Sequence, residues 1–200
     1  MSASTTAVIL CGGESRRLGG IDKPLRPLLG RPLIEHVLNC LRPQVDEITL
    51  VANRNRDAYA AYGYPVIDDG AYAGRGPLAG IAAGLASAQT DWVLCVPGDA
   101  PLLPADLTAR MHQAIAAHDA ELSLVHDGAG RQPLCCLLPR RLLPDLRAYL
   151  DGGHDAPREW QAGYRLAEAN FAHWPCWAWS LNTPEEWNAA ESGLMSQPPP

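Results

Sequence analysis

No run of about eighteen apolar residues occurs anywhere in this 200-residue chain, and its amino terminus, Met1-Ser2-Ala3-Ser4-Thr5, has no basic cluster. Those absences exclude a membrane span and an export signal as readings, and the protein is expected in the cytoplasm. Basic residues are in deficit, 16 Lys and Arg against 22 Asp and Glu, and they form no stripe along a helix, so nucleic acid is excluded as a partner. Cys-x-x-Cys pairs are missing too. The six cysteines (Cys11, Cys40, Cys95, Cys135, Cys136, Cys176) and six histidines show no spacing that closes a zinc site or builds a catalytic triad. The cysteines read as reduced, small apolar residues, and the adjacent Cys135 and Cys136 would face opposite sides of a strand. There is no internal repeat.

What is present suits one ordinary domain: 47% of the residues are apolar, enough for a substantial core. A single domain is expected over 1–192, with a disordered tail at 193–200 ending in Ser196-Gln197-Pro198-Pro199-Pro200. Strand-like and helix-like segments alternate through the first half. Strands are expected at Thr6–Leu10, Glu47–Ala52, Tyr64–Ile67 and Trp92–Val96, with helices after Pro32 and over Leu78–Ala88. Farther on, a helix is expected from Pro104 to about Ala117, strands at Leu122–Leu124 and Pro133–Leu138, and a helix over Arg141–Leu150. Thr183 and Glu186 form a capping box with Pro184 at the first helical position, which predicts a final helix there. The pattern is α/β: a three-layer α/β/α, Rossmann-like, mostly parallel sheet.

Directly after the first expected strand come Cys11-Gly12-Gly13-Glu14-Ser15-Arg16-Arg17-Leu18-Gly19-Gly20-Ile21-Asp22-Lys23. Glycines let backbone N–H groups approach an anion, and Glu14 to Arg31 holds five basic residues against two acidic ones, which together suit a nucleotide triphosphate. The loop is not a Walker A sequence, because Leu18 stands where that motif needs glycine, and no Gly-x-Gly-x-x-Gly spacing is present. In an open α/β sheet ligands bind beyond the carboxyl ends of the strands, where the polar residues are Asn53, Asp68, Asp69 and Asp99. A carboxylate beside a triphosphate calls for a divalent cation, so Asp99 is a candidate Mg²⁺ ligand. Asn53 and Asp69 suit a base and ribose, although both residue types also make turns. Gly74-Arg75-Gly76-Pro77-Leu78-Ala79-Gly80 feeds a helix N-terminus, which favours anions.

Four segments together resemble the molybdenum cofactor guanylyltransferases: Leu10 to Lys23, Gly76-Pro77-Leu78-Ala79-Gly80, Pro97-Gly98-Asp99-Ala100-Pro101, and Leu181-Asn182-Thr183-Pro184-Glu185-Glu186. The resemblance implies a fold of the nucleotide-diphospho-sugar transferase type, with a nucleotide-binding half at about 5–105 and an acceptor-binding half at about 106–192. It implies GMP transfer from MgGTP to molybdopterin, with release of pyrophosphate. GTP contacts would come from Leu10, Cys11, Gly12, Gly13, Lys23, Asn53, Asp69 and Asp99, with Asp99 on Mg²⁺ and Arg17 and Lys23 offsetting phosphate charge. Asn182 would face the pterin. A monomer is expected, with transient partners in cofactor biosynthesis. The same fold would also serve CTP with molybdopterin, an NTP with a sugar phosphate, or a non-catalytic nucleotide-binding module. Cys11 stands where the family usually has alanine and Gly98 where cysteine is common. In Asp151–Trp160 only Arg158 is available where the family tends to show paired arginines. The late tryptophans, Trp177 and Trp179 among them, read as packing residues on one face of a strand rather than as platforms for a pterin.

Overall fold

The computed structural model describes residues 3–12, 22–175 and 179–195. Its centre is β1 (Thr5–Leu10), whose β-branched and aliphatic side chains are buried along almost all of its length. It pairs in parallel with β4 (Glu47–Val51) on one side and β6 (Trp92–Pro97) on the other. A two-residue strand, β5 (Val66–Ile67), closes the sheet beyond β4. Beyond β6 lie β8 (Arg131–Pro139), β7 (Leu122–His126) and β9 (Leu166–Asn170), giving the order β5-β4-β1-β6-β8-β7-β9. Only β8 runs antiparallel to its neighbours in this seven-stranded sheet. A separate hairpin joins β2 (Pro27–Leu28) to β3 (Arg31–Pro32).

Strand alternation sends successive side chains to opposite faces, and each face is covered by helices. Ala7, Ile9, Leu94 and Val96 face the layer of α1 (Leu33–Leu41) and α4 (Leu107–His118), with Tyr59 of α2 (Arg56–Ala60) in the same cluster. Val8, Val93, Cys95 and Cys136 face α3 (Pro77–Ser87), α5 (Leu143–Asp151) and Trp160 of α6 (Pro157–Gln161). The five α1 residues read as one apolar face, Leu33, Ile34, Val37, Leu38 and Leu41, are all buried. The last helix, α7 (Pro184–Met195), starts as its capping box requires: Glu186 N donates to Thr183 Oγ1 at 3.2 Å and Thr183 N to Glu186 Oε2 at 2.9 Å.

Some expectations shift. α4 begins at Leu107 rather than Pro104, because a long-range cap supplants the local one. Gln44 Nε2 donates to Pro104 O at 2.9 Å, and Gln44 Oε1 accepts from Thr108 N at 3.1 Å. α5 is preceded by a 3-10 turn over Arg140–Leu142. Ser123, a polar residue within the expected strand at Leu122–Leu124, is fully buried, its hydroxyl donating to Met111 O under α4. Tyr64 and Pro65 lie outside β5. The expected disordered tail is shortened at its start, since α7 continues through Gly193 to Met195; residues 196–200 lie outside the described residues. So does Trp177 of the expected late strand, whereas Trp179 is buried edge-on against Phe171 without forming a strand.

α3 lies close to the sheet because it carries glycine where β1 presses on it. A Cβ at Gly84 would stand 2.5 Å from Val8 Cγ1 and 3.1 Å from Val8 Cβ. Helix propensity favours alanine there by about 1 kcal/mol, but overpacking against a stiff β-branched side chain costs about 1–3 kcal/mol. Gly84→Ala is therefore expected to destabilise the protein in urea titrations, and the loss should disappear in a Val8→Ala background. Equal or greater stability of the single variant would refute this account of the packing.

Candidate nucleotide site

The carboxyl ends of β1, β4, β5 and β6 all open on one side of the sheet, and polar side chains collect there in two groups. The first lies over β4 and β5. Asn53 Nδ2 donates to Asp69 Oδ2 at 2.6 Å, and Asn53 Oδ1 accepts from Asp69 N at 3.0 Å, so the two residues hold each other in one orientation. Gly12 is exposed beside them, with Asn53 Nδ2 4.0 Å from where a Cβ would lie. Beneath them Gly80 of α3 lets the helix approach: a Cβ there would meet Leu10 Cδ2 at 3.0 Å and Asp69 Oδ1 at 3.3 Å. Gly76, at φ +69, turns the chain into α3, and Pro77 takes its first position. The Asp69 carboxyl is raised above its ordinary value, chiefly by burial; the Asn53 donor opposes the rise and Asp68 adds to it.

The second group lies over β1 and β6. Lys23 Nζ donates to Asp99 Oδ2 at 2.5 Å and to Asn182 Oδ1 at 3.0 Å, and Ser180 Oγ donates to the same Asp99 oxygen at 2.9 Å. Both side chains of the ion pair are largely covered, 13% exposed for Lys23 and 18% for Asp99. Their meeting follows from the backbone. Gly98 N donates to Leu10 O at 2.9 Å, continuing the β1–β6 ladder past the strand ends, and the Pro24 ring packs on Gly98, where a Cβ would meet Pro24 Cγ at 3.0 Å. Ser180 was not singled out from the sequence; nothing in its local pattern marks it, because its partner is 81 residues away.

Of the residues expected to act together, Lys23, Asp99 and Asn182 share one cluster, Asn53 and Asp69 the other, and Leu10, Cys11 and Gly12 run between them. Cys11 is buried, and burial, with Asp22 and Asp99 nearby, pushes its thiol well up, so it is a neutral packing group. Gly13 and Arg17, together with Arg16, Gly19 and Gly20, lie outside the described residues. Among the described residues no three His, Cys, Asp or Glu side chains converge as a metal cage.

The chain matches the family model for MobA-like NTP transferase domains over residues 7–168. It is 44% identical over 186 residues to the molybdenum cofactor guanylyltransferase of Shewanella sp. (strain MR-4), covering 93% of this chain and 94% of that protein. The chain belongs to the molybdenum cofactor guanylyltransferase family. Another guanylyltransferase, from Cupriavidus pinatubonensis, is 44% identical over 193 residues, covering 94% of this chain and 96% of that one. The molybdopterin-guanine dinucleotide biosynthesis protein A of Archaeoglobus fulgidus superposes with a TM-score of 0.77 at 19% identity, covering 96% of this chain and 100% of that one. At that identity the likeness speaks to the fold. So does a 2-C-methyl-D-erythritol 4-phosphate cytidylyltransferase from Thermus thermophilus, TM-score 0.70 at 16% identity, covering 98% of this chain and 100% of that one.

The departures from the guanylyltransferase pattern have local physical settings. Gly98 accompanies Pro24, whose ring fills the space a side chain would need. Arg158, on α6, donates to Arg131 O at 3.4 Å and makes no contact with Lys23, Asp99 or Asn182 among the described residues. Among the described tryptophans, Trp160 is buried and donates to Asp145 Oδ2 at 3.0 Å, Trp174 donates to Leu102 O at 2.8 Å, and Trp187 lies under Arg26.

The raised Asp69 carboxyl gives a signed pH prediction. The folded state holds that proton more tightly than the unfolded chain does, so the group's contribution to stability is complete below the unfolded value and is lost as pH rises through the folded one. Melting curves of Asp69→Asn and the unaltered protein are expected to diverge in the variant's favour as pH rises from about 4 to about 7. Parallel curves would contradict the burial argument.

Proposed function

We propose that the protein transfers GMP from MgGTP to the terminal phosphate of molybdopterin, releasing pyrophosphate and forming the guanine dinucleotide cofactor. The observation that carries this reading is the pairing of two clusters at one sheet edge, Asn53–Asp69 and Lys23–Asp99–Asn182, in a chain so similar to curated guanylyltransferases. An oxygen of the acceptor phosphate attacks the α-phosphorus of GTP, a new P–O–P bond forms, and the bond to the β-phosphate oxygen breaks with its electron pair leaving on pyrophosphate. The attacking phosphate is ionised near neutrality, so no general base is needed and alignment with charge neutralisation carries the rate.

Asp69 accepts from the paired N–H donors of guanine while Asn53 holds its carboxylate, and the backbone from Leu10 to Gly13 lies along the phosphates. Lys23 and Arg17 offset charge on the triphosphate and the leaving pyrophosphate. Asn182, bonded to Lys23, stands on the acceptor side. Mg²⁺ fits this donor set, because it takes one or two carboxylates and completes its shell with phosphate oxygens and water. Asp99 is such a carboxylate, and among the described residues Lys23 and Ser180 both bind its Oδ2, leaving Oδ1 facing no protein donor. When bound, the ion neutralises phosphate charge and polarises the phosphorus. Asp99 would hold it, and Ser180 fixes the carboxylate. The enzyme is proposed to act in the cytoplasm as a monomer; among the described residues no helix is long and apolar enough to cross a membrane.

Asp99→Ala is expected to lower pyrophosphate release from GTP and molybdopterin by at least about a thousandfold with native circular dichroism; retention of about a tenth of the activity at matched Mg²⁺ removes the metal role. Thermal shifts should single out GTP among GTP, CTP, ATP and UTP, since a ligand that binds the native state raises its melting temperature. A larger shift with CTP would reassign the donor.

A further inference from the structure

Asp22 takes no part in the chemistry above, yet only 4% of it is exposed, and charged residues are seldom buried so deeply without partners. Its partners come from one short stretch after β4. Arg54 Nη2 donates to Oδ1 at 3.0 Å and Asn55 Nδ2 donates to Oδ2 at 3.0 Å, while the nearby Tyr59 hydroxyl donates to Cys11 O at 3.5 Å. Asn55 is left-handed, at φ +50, a conformation that persists only where surroundings fix it. On its other side Asp22 opens the turn that carries Lys23: Leu25 N donates to Asp22 O and Arg26 N to Lys23 O, each at 3.0 Å, and Pro24 packs on Gly98. Asp22 and Lys23 are adjacent in this turn, so a backbone displacement at Asp22 also displaces the point from which the Lys23 side chain extends. The stretch that grips Asp22 begins one residue after Asn53, the partner of Asp69.

We infer that Asp22 is a positioning residue that locks the base-facing loop of Asn53 to the phosphate-facing turn of Lys23, so that guanine selection and triphosphate placement depend on one buried carboxylate. The inference rests on the assignment of Asn53 and Asp69 to the base. A carboxylate suits the site because both side chains bonded to it, Arg54 and Asn55, donate. An amide in its place would set one NH₂ against Arg54 or Asn55.

The test is calorimetry on the full-length protein with magnesium complexes of GTP and of inosine triphosphate, which lacks the exocyclic amine, and separately with magnesium pyrophosphate. Asp69→Asn and Asp22→Asn are both expected to shrink the preference for GTP by about fivefold or more, and Asp22→Asn alone to weaken pyrophosphate binding by about threefold or more. Asn55→Gly, which removes one donor while glycine accepts the positive φ, should shift both readouts in the same direction as Asp22→Asn. If Asp69→Asn loses the preference while Asp22→Asn and Asn55→Gly keep it and bind pyrophosphate normally, the inference fails and the base assignment stands. If Asp69→Asn keeps the preference, the base assignment fails and the inference falls with it. Should Asp22→Asn not fold, Asn55→Gly decides.

Discussion

Lys23 and Asp99 meet at 2.5 Å although 76 residues separate them, and much of the site hangs on that ion pair. Three independent constraints bring it about. The β1–β6 ladder carries Gly98 to the end of β1. The bare α-carbon of Gly98 receives Pro24 and so fixes the turn around Lys23. The segment before α7 then adds Ser180 to the carboxylate and Asn182 to the ammonium. A partly buried pair of this kind contributes geometry more than stability, since desolvation offsets much of the attraction. In the proposed function its value lies in setting a cation and an anion at fixed places, one for a polyanionic ligand and one for its counter-ion.

The carboxyl-terminal segment is also held to the first loop by packing. Leu181 and Ala190 join Leu28 and Leu33 in a small apolar cluster of their own, with Trp187 against it and the Arg26 guanidinium 4.6 Å from the centre of that ring. The β2–β3 hairpin therefore serves as the seat for α7. The capping box that starts α7 fixes where Asn182 stands, because Glu186 accepts from the backbone N–H groups of both Asn182 and Thr183. A local helix signal, a satellite core and a site residue are thus one mechanical unit.

Much of this was legible in the residues. Strong apolar periodicity gave α1 and the central strands, and the rule that ligands sit beyond strand carboxyl ends pointed at Asn53, Asp69 and Asp99. Features that depend on distant partners were not legible. The start of α4 is set by Gln44, which no reading of Pro104-Ala105-Asp106 would reveal. β9, Leu-Ala-Glu-Ala-Asn, went unseen because alanine has little strand preference, and its pairing with β7 supplies what local propensity lacks. α2 and α6, five residues each, are too short to show a helical period. Ser180 and the grip on Asp22 are likewise invisible locally: a serine and an aspartate look the same in a chain whether they face water or a buried partner.

The two margins of the sheet differ from its centre in a way that bears on how copies of the molecule behave when crowded. One margin is β5, two residues long and entered from Pro65, which has no N–H to offer. The other is β9, five residues long, which carries the charge of Glu168 over the exposed sheet face, held there by Arg131 of β8 at 2.6 Å. Neither presents the long, flat, uncharged row of open backbone groups on which a foreign strand can template itself. A seven-stranded sheet rich in valine, leucine and isoleucine is thereby shielded at its rims from edge-to-edge aggregation, leaving the strand ends as the face turned to ligands.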